Sequence, residues 1–252
     1  MSCQLNWRVS TSIIFATPEQ SDKEQKNTCA VKQPVLSVQT LRKSRAIREI
    51  NFMNITRLLY LLLWITIGYL SGSIPTGYLI GRLKGIDLTK IGSGSTGATN
   101  VLRTLGRGAA LVTFLIDVLK AFLPVYFSMK LQDCTFLVAM VAIFCIIGHS
   151  KSIFLKFKGG KSSACGLGIL IALSWQVALI IFLIWLVVVG ISRYSSLGSI
   201  IAVPLAPLFL YLFHKPILYV VLTIFAAVYI ILFRHRENIQ RLIKGTEPKI
   251  GN

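Results

Sequence analysis

Between two long apolar runs lies Gly92-Ser93-Gly94-Ser95-Thr96-Gly97-Ala98-Thr99-Asn100-Val101-Leu102-Arg103. Its three glycines and four hydroxyl residues let the backbone approach a ligand closely while presenting many N–H and O–H donors. A helix starting near Gly97 would place Thr96, Thr99, Asn100, Arg103 and Arg107 on one polar stripe ending in two guanidinium groups. Free N–H groups at a helix start, together with arginines, describe an anion site, most simply a phosphate site. The glycine spacing also matches G-x-G-x-x-G. The dinucleotide fingerprint needs a preceding strand and a βαβ unit, however, and both neighbours here read as apolar helices.

Three other polar stretches could share this chemistry. His149 to Lys161 carries Lys151, Lys156, Lys158 and Lys161 around Gly159-Gly160. Gly-Gly-Lys suits a phosphate grip, although the upstream glycine of a P-loop is missing. His149 lacks the aspartate five residues on that soluble H-x-x-x-x-D acyltransferases use, since Phe154 stands there. A third stretch is Ser192-Arg193-Tyr194-Ser195-Ser196, and a fourth is Arg234-His235-Arg236-Glu237-Asn238. If the fourth is helical, His235 and Asn238 share a face, Glu237 reaches Arg241, and Gly245 stops the helix. All four are rich in positive charge or hydroxyls and poor in carboxylate. No Ser/His/Asp triad and no paired acids stand out. A site of this composition holds polyanions and stabilises developing negative charge.

The elements that position these residues are membrane helices. Hydrophobic residues make up 54% of the 252-residue chain, yet its net charge is +18. Apolar runs of about 18 residues or more are spans rather than core helices, which argues against a soluble single domain. After position 50 the acids are only Asp87, Asp117, Asp133, Glu237 and Glu247. Most basic residues flank spans, which favours lipid headgroups or anionic substrates over nucleic acid. The five cysteines show neither metal-ligand spacing nor a disulfide framework, and most read as small apolar filler.

The first span runs from about Ile55 to Arg82, interrupted at Ser71 to Gly77, where Pro75 frees backbone groups that need partners. The second, Gly108 to Met129, holds Asp117 and Lys120 at i, i+3, which reads first as a structural ion pair. A third covers Thr135 to Gly148. The apolar run from Ser162 to Ile191 exceeds one span of about twenty residues. Breaking it at Ser174-Trp175-Gln176 puts Arg193 and the C-terminal basic residues on the side of Arg82 to Arg107 and Lys151 to Lys161, as the positive-inside rule requires. Two more spans, Leu197 to Phe213 and Pro216 to Phe233, complete an all-α polytopic membrane protein. It would have about seven transmembrane helices, its N-terminus outside and its C-terminus cytoplasmic. The four polar stretches then meet one membrane face. Residues 1–52 are polar and lack a sustained apolar period. They read as a disordered arm or targeting segment, or as a start-site error with translation beginning at Met53, leaving 53–252 as the membrane domain.

Three motifs in order, Gly92-Ser93-Gly94…Gly97-Ala98-Thr99-Asn100…Arg103, Gly148-His149…Lys156-Phe157-Lys158-Gly159-Gly160-Lys161 and Arg234-His235-Arg236-Glu237-Asn238-Ile239, closely resemble the bacterial membrane glycerol-3-phosphate acyltransferases that use acyl phosphate (the PlsY type). The resemblance covers about Met53 to the C-terminus. It implies a cell inner-membrane enzyme, active at its cytoplasmic face, that makes lysophosphatidic acid from acyl phosphate and glycerol 3-phosphate. It implies no cofactor, no metal and no nucleic-acid partner, and it leaves the oligomeric state open. Carried over by residue, it makes Ser93, Arg103 and Lys161 phosphate ligands, with His235 and Asn238 positioning glycerol 3-phosphate. Gly92, Gly94, Gly97, Thr99, Asn100, Gly159 and Gly160 would bind substrate around them, and Arg193, Ser196 and Ser199 match the middle motif less tightly. The chain departs from the family pattern at Ser95, Ser162 and Cys165, where asparagine, glycine and threonine are usual. A competing reading, a carrier for a phosphorylated solute, predicts paired repeats and a mid-membrane site reachable from both sides.

Overall fold

The structure is a computed structural model that describes residues 38–131 and 134–251, with side chains from Asn54 onward. The chain divides into two compact units, one running from Leu61 to the C-terminus and one ending at Tyr60. Of the latter, the described residues are the first part of helix α1 (Val38–Ser73). This helix starts inside the stretch expected to be a polar extension: Leu41 to Glu49 is rich in good helix formers although it lacks an apolar face. The rest of that expectation, residues 1–37, lies outside the described residues.

The larger unit is helical. After the end of α1 come α2 (Thr76–Leu83), α3 (Ala98–Leu105), α4 (Arg107–Leu131), α5 (Thr135–Ser150) and α6 (Ser163–Leu173). Then follow α7 (Trp175–Ser192), α8 (Ser195–Ala202), α9 (Ala206–Leu212), α10 (Ile217–Val228) and α11 (Arg236–Ile243). Among the described residues, five segments are long and apolar enough to cross a membrane: Asn54–Leu83, Arg107–Leu131, Trp175–Ser192, Ser195–Leu212 and Ile217–Arg234. Helices α5 and α6 are apolar but shorter. At 11 residues α6 rises about 16 Å, roughly half the thickness of a bilayer's hydrocarbon core. Leu62, Leu63, Leu111, Leu115, Leu119, Leu179 and Leu183 are exposed, as lipid-facing side chains would be.

The breaks fall where local chemistry forces them. Pro75 ends α1, and the Ile74 carbonyl freed there accepts a hydrogen bond from Lys120 Nζ at 2.6 Å. Lys120 also pairs with Asp117 at 2.7 Å, both side chains being buried, so this intramembrane pair braces the kink. At Ser174 the backbone is extended (φ −166°, ψ 102°). Its N–H closes α6 on Leu170 O, its carbonyl starts α7 through Ala178 N–H, and the long apolar run is two helices.

Packing depends on small residues and one apolar cluster. A methyl on Gly72 would meet the Cys145 carbonyl, and one on Gly148 the Tyr69 carbonyl, so α1 and α5 touch along their backbones. Leu170, Val177, Ile181, Ala202, Ala206, Leu210 and Val220 join α6 to α10. A second cluster, Leu88, Val101 and Ala110, lies under the loop before α3 and fastens α3 to α4. Cys145 and Cys165 are buried free thiols, consistent with filler.

Candidate active site

The loop before α3 is organised by one amide. Asn100 is buried, its Oδ1 accepting the Ser93 N–H at 3.0 Å. Its Nδ2 donates to the carbonyls of Ser95 (2.8 Å), Ile91 (3.1 Å) and Leu88 (3.4 Å). Gly92 has φ +63°, and a methyl there would strike Asn100 Oδ1. Gly94 is also left-handed. These two glycines shape the loop and do not line the cavity described below. Gly97 is the N-cap of α3, and Thr99 bonds Ser195 across to α8 at 3.0 Å. The expected polar stripe stops at Gly106, where the chain turns with φ +86°. Arg103 faces the cavity, while Arg107 starts α4 and is exposed.

The Gly-Gly-Lys loop is held from both sides. The Gly160 N–H donates to His149 O at 3.0 Å, and a methyl on Gly160 would overlap the His149 ring. Arg234 clamps the other side: its NH2 group donates to Gly159 O (3.0 Å) and Gly160 O (2.8 Å), and its Nε to Gly160 O (3.2 Å). Gly159 and Gly160 therefore aim Lys161 rather than line the cavity themselves. The Lys161 ammonium reaches Asn238 Oδ1.

The fourth stretch contains a feature that the sequence did not signal. Tyr229–Arg234 is a π-helical turn, and the His235 N–H bonds Ile230 O, five residues back, at 3.0 Å. Such turns are rare and concentrate at functional sites. The same carbonyl lies 3.0 Å from His235 Nδ1, which makes Nδ1 the protonated nitrogen and leaves Nε2 as an acceptor. Helix α11 then places Asn238 as expected, but Arg241 favours another partner. It is 3.9 Å from Glu237 and donates Nε to Glu247 Oε2 at 2.7 Å.

Glu247, which lies outside the four polar stretches, adds one carboxylate to the site. Its side chain is buried, and Oε1 accepts from Ser196 at 2.8 Å and Asn238 at 2.7 Å. Arg103 lies 3.9 Å from the same oxygen and donates to Pro248 O at 2.9 Å. One acid thus ties α3, α8 and α11 together. The signal was available, an acid just past the helix-stopping Gly245, but a lone tail carboxylate does not say where it points.

These groups share one cavity of about 360 Å³. Ser93, Arg103, Lys161, His235, Asn238 and Glu247 line its polar part. Gly97, Thr99, Asn100, Ser196 and Ser199 add to the wall. Phe114, Leu167, Leu170, Phe182, Trp185 and Leu222 line the rest, between the helices. Arg193 is exposed, in a left-handed turn with φ +63°, and stays off the wall; its carbonyl accepts the Ile250 N–H.

The electrostatics suit an anion. Burial pulls the Lys161 ammonium down to about 8, with Arg241 and Arg103 adding to the effect and Glu247 opposing it. Burial likewise brings the His235 imidazole to about 4, so it is neutral near pH 7. Burial alone would raise the Glu247 carboxyl, but hydrogen bonds from Arg241, Ser196 and Asn238 outweigh it and hold the group below its usual value. One carboxylate among Arg103, Lys161 and Arg241 leaves an excess of positive charge beside an apolar chamber. The arrangement can hold phosphate groups and stabilise an oxyanion next to a hydrocarbon chain.

A family model described as glycerol-3-phosphate acyltransferase matches residues 62–245. The glycerol-3-phosphate acyltransferase of Synechococcus sp. (strain JA-3-3Ab) is 48% identical over 185 residues, 73% of this chain and 90% of that protein. Glycerol-3-phosphate acyltransferase 2 of Thermotoga maritima is 43% identical over 189 residues, 73% of this chain and 94% of that protein. Among solved structures, PlsY (YgiH), an integral membrane glycerol 3-phosphate acyltransferase in its glycerol 3-phosphate form, superposes with a TM-score of 0.73 at 39% identity. That match covers 76% of this chain and 96% of that one.

Proposed function

The chain belongs to the glycerol-3-phosphate acyltransferase family, and from that premise we propose that it moves a fatty acyl group from acyl phosphate to the sn-1 hydroxyl of glycerol 3-phosphate. Family membership makes it an integral membrane enzyme of phospholipid synthesis. The observation that carries the finer reading is the cavity itself, cationic at one part and apolar over the rest.

In this reading the fatty chain lies between the helices, and Ser93, Arg103 and Lys161 hold phosphate oxygens. His235 Nε2 and Asn238 orient glycerol 3-phosphate so that its primary hydroxyl faces the acyl carbonyl. The hydroxyl oxygen forms the new ester bond. The bond from the acyl carbon to the phosphate oxygen breaks, and inorganic phosphate departs with the electron pair. The hydroxyl proton passes to a substrate phosphate oxygen, because the anhydride is already activated and needs no strong protein base. Lys161 and Arg103 offset the negative charge that builds on the carbonyl and leaving oxygens. No cofactor takes part.

The proposal also places the enzyme in the bacterial inner membrane, with seven crossings, an external N-terminus and the cavity mouth facing the cytoplasm. Its support is the basic residues that flank the apolar helices on one side. Residues 53–252 are the catalytic domain in this reading, so a chain starting at Met53 should retain activity.

The test uses purified protein with labelled glycerol 3-phosphate and either palmitoyl phosphate or palmitoyl-CoA. Lysophosphatidic acid is expected from the phosphate donor alone, and formation from the thioester alone overturns the donor assignment. Lys161→Ala should abolish the transfer; turnover at the parent's rate by that variant overturns the site.

A further inference from the structure

Three lysines in the second polar stretch remain outside the cavity. Lys151, Lys156 and Lys158 are all exposed, and none pairs with a carboxylate among the described residues. Between them stand Ile153, Phe154 and Phe157, at 49%, 60% and 60% exposure. Large apolar side chains alternating with lysines, with no acid from Lys151 to Lys161, are the composition of a membrane interface.

The segment is a built structure. The Phe157 N–H and the Leu155 N–H both donate to Ser152 O, at 2.8 and 3.1 Å, and the Ser152 N–H returns to Lys158 O at 3.2 Å. Tyr69 OH donates to Lys151 O at 2.9 Å, and Ser152 Oγ donates to Ser73 O at 2.5 Å, so the base is fastened to α1. Lys156 and Phe157 are consecutive non-glycine residues in the left-handed region, with φ of 52° and 60°. That conformation is unfavourable for such side chains, and the hydrogen bonds within the segment and to α1 hold it, keeping Ile153, Phe154 and Phe157 exposed.

We propose that Lys151–Lys158 is a finger seated in the headgroup layer of an anionic bilayer. Ile153, Phe154 and Phe157 enter its apolar side, and the three lysines bind lipid phosphates. The finger follows directly from the end of α5 and leads into Gly159-Gly160-Lys161, so it also sets the depth of the phosphate-gripping loop. The inference requires the chain to be embedded in a bilayer but does not depend on the reaction proposed above. Each lysine is expected to favour an anionic over a zwitterionic surface by about fivefold.

The test is Phe154→Trp in nanodiscs containing lipid brominated near the headgroup, read as the difference spectrum against the parent, which has four tryptophans. The added tryptophan should emit at shorter wavelength than one in water. Brominated phosphatidylglycerol should quench it at a several-fold lower mole fraction than brominated phosphatidylcholine. Replacing Lys151, Lys156 and Lys158 with glutamine should remove that preference while leaving quenching by both lipids. Unchanged native tryptophan emission and thermal unfolding check that the variants are folded. An added tryptophan with water-like, unquenched emission overturns the proposal. So does equal quenching by the two lipids before the lysines are changed.

Discussion

Glu247→Ala perturbs the one acid that connects three separate elements. The carboxylate is buried and accepts from Ser196, Asn238 and Arg241 at 2.7 to 2.8 Å. Breaking a buried ion pair by removing one partner costs about 3–5 kcal/mol. The Arg241 side chain is 29% exposed, so water partly compensates it, and the lower end, about 3 kcal/mol, applies. By the scaling for domains of this size, that lowers the unfolding midpoint by about 6–12 °C. A second effect separates charge from packing. Glu247 is among the groups that raise the Lys161 pKa, so its loss must push that value below about 8. Lys161 is a cation below its pKa and neutral above it. The alkaline fall in kcat/KM for glycerol 3-phosphate should therefore begin at lower pH in the variant than in the parent. Thermal unfolding in detergent and a pH series of initial rates measure both effects. An unfolding midpoint equal to the parent's, together with an alkaline limb that stays put or moves up, would refute the reasoning.

In the unmodified protein, kcat/KM should fall about tenfold per pH unit above the Lys161 value of about 8, while His235, neutral down to about 4, gives no break between pH 5 and 7. The substrate phosphate itself titrates at about 6, so the check is the imidazole's own NMR titration, where a midpoint of about 6.5 would show that the ring is not held neutral. Arg234→Lys keeps the charge but loses the fork that grips the Gly159 and Gly160 carbonyls; KM for a phosphorylated substrate should rise at least about tenfold with helical circular dichroism unchanged. Parent-like kinetics would show that the clamp is dispensable. Gly160→Ala drives a methyl into the His149 ring and should reduce activity far more than stability, since the displaced backbone is the one that carries Lys161. Full activity would mean that the ring moves aside freely.

Much of the scaffold was legible because the signals are local. Pro75 and Ser174 break helices through their own backbone chemistry, and the breaks fall where the sequence indicates. The residues that reach the cavity from the glycine loop, the Gly-Gly-Lys loop and α11 include Ser93, Arg103, Lys161, His235 and Asn238. Gly92, Gly94, Gly159, Gly160 and Arg193 turned out to stand behind or beside the wall, and Asn100, on the wall, is engaged by its own loop. A motif names residues that belong together, not which of them face the ligand. The Arg107 error had a specific source: a helical stripe was extended through Gly106, where the backbone turns.

The amino-acid order by itself determined the apolar helices, their interruptions and the set of cations available, because hydrophobic runs, prolines and glycines act over a few neighbouring residues. Only the folded chain decided that Arg234 grips carbonyls 74 and 75 positions away, that a π turn sets the phase of His235, and that Glu247 joins Ser196 across 51 residues. Those partnerships are directional and short-ranged. They exist only once packing has brought distant backbone into register, and no spacing along the chain encodes the angle at which two helices meet.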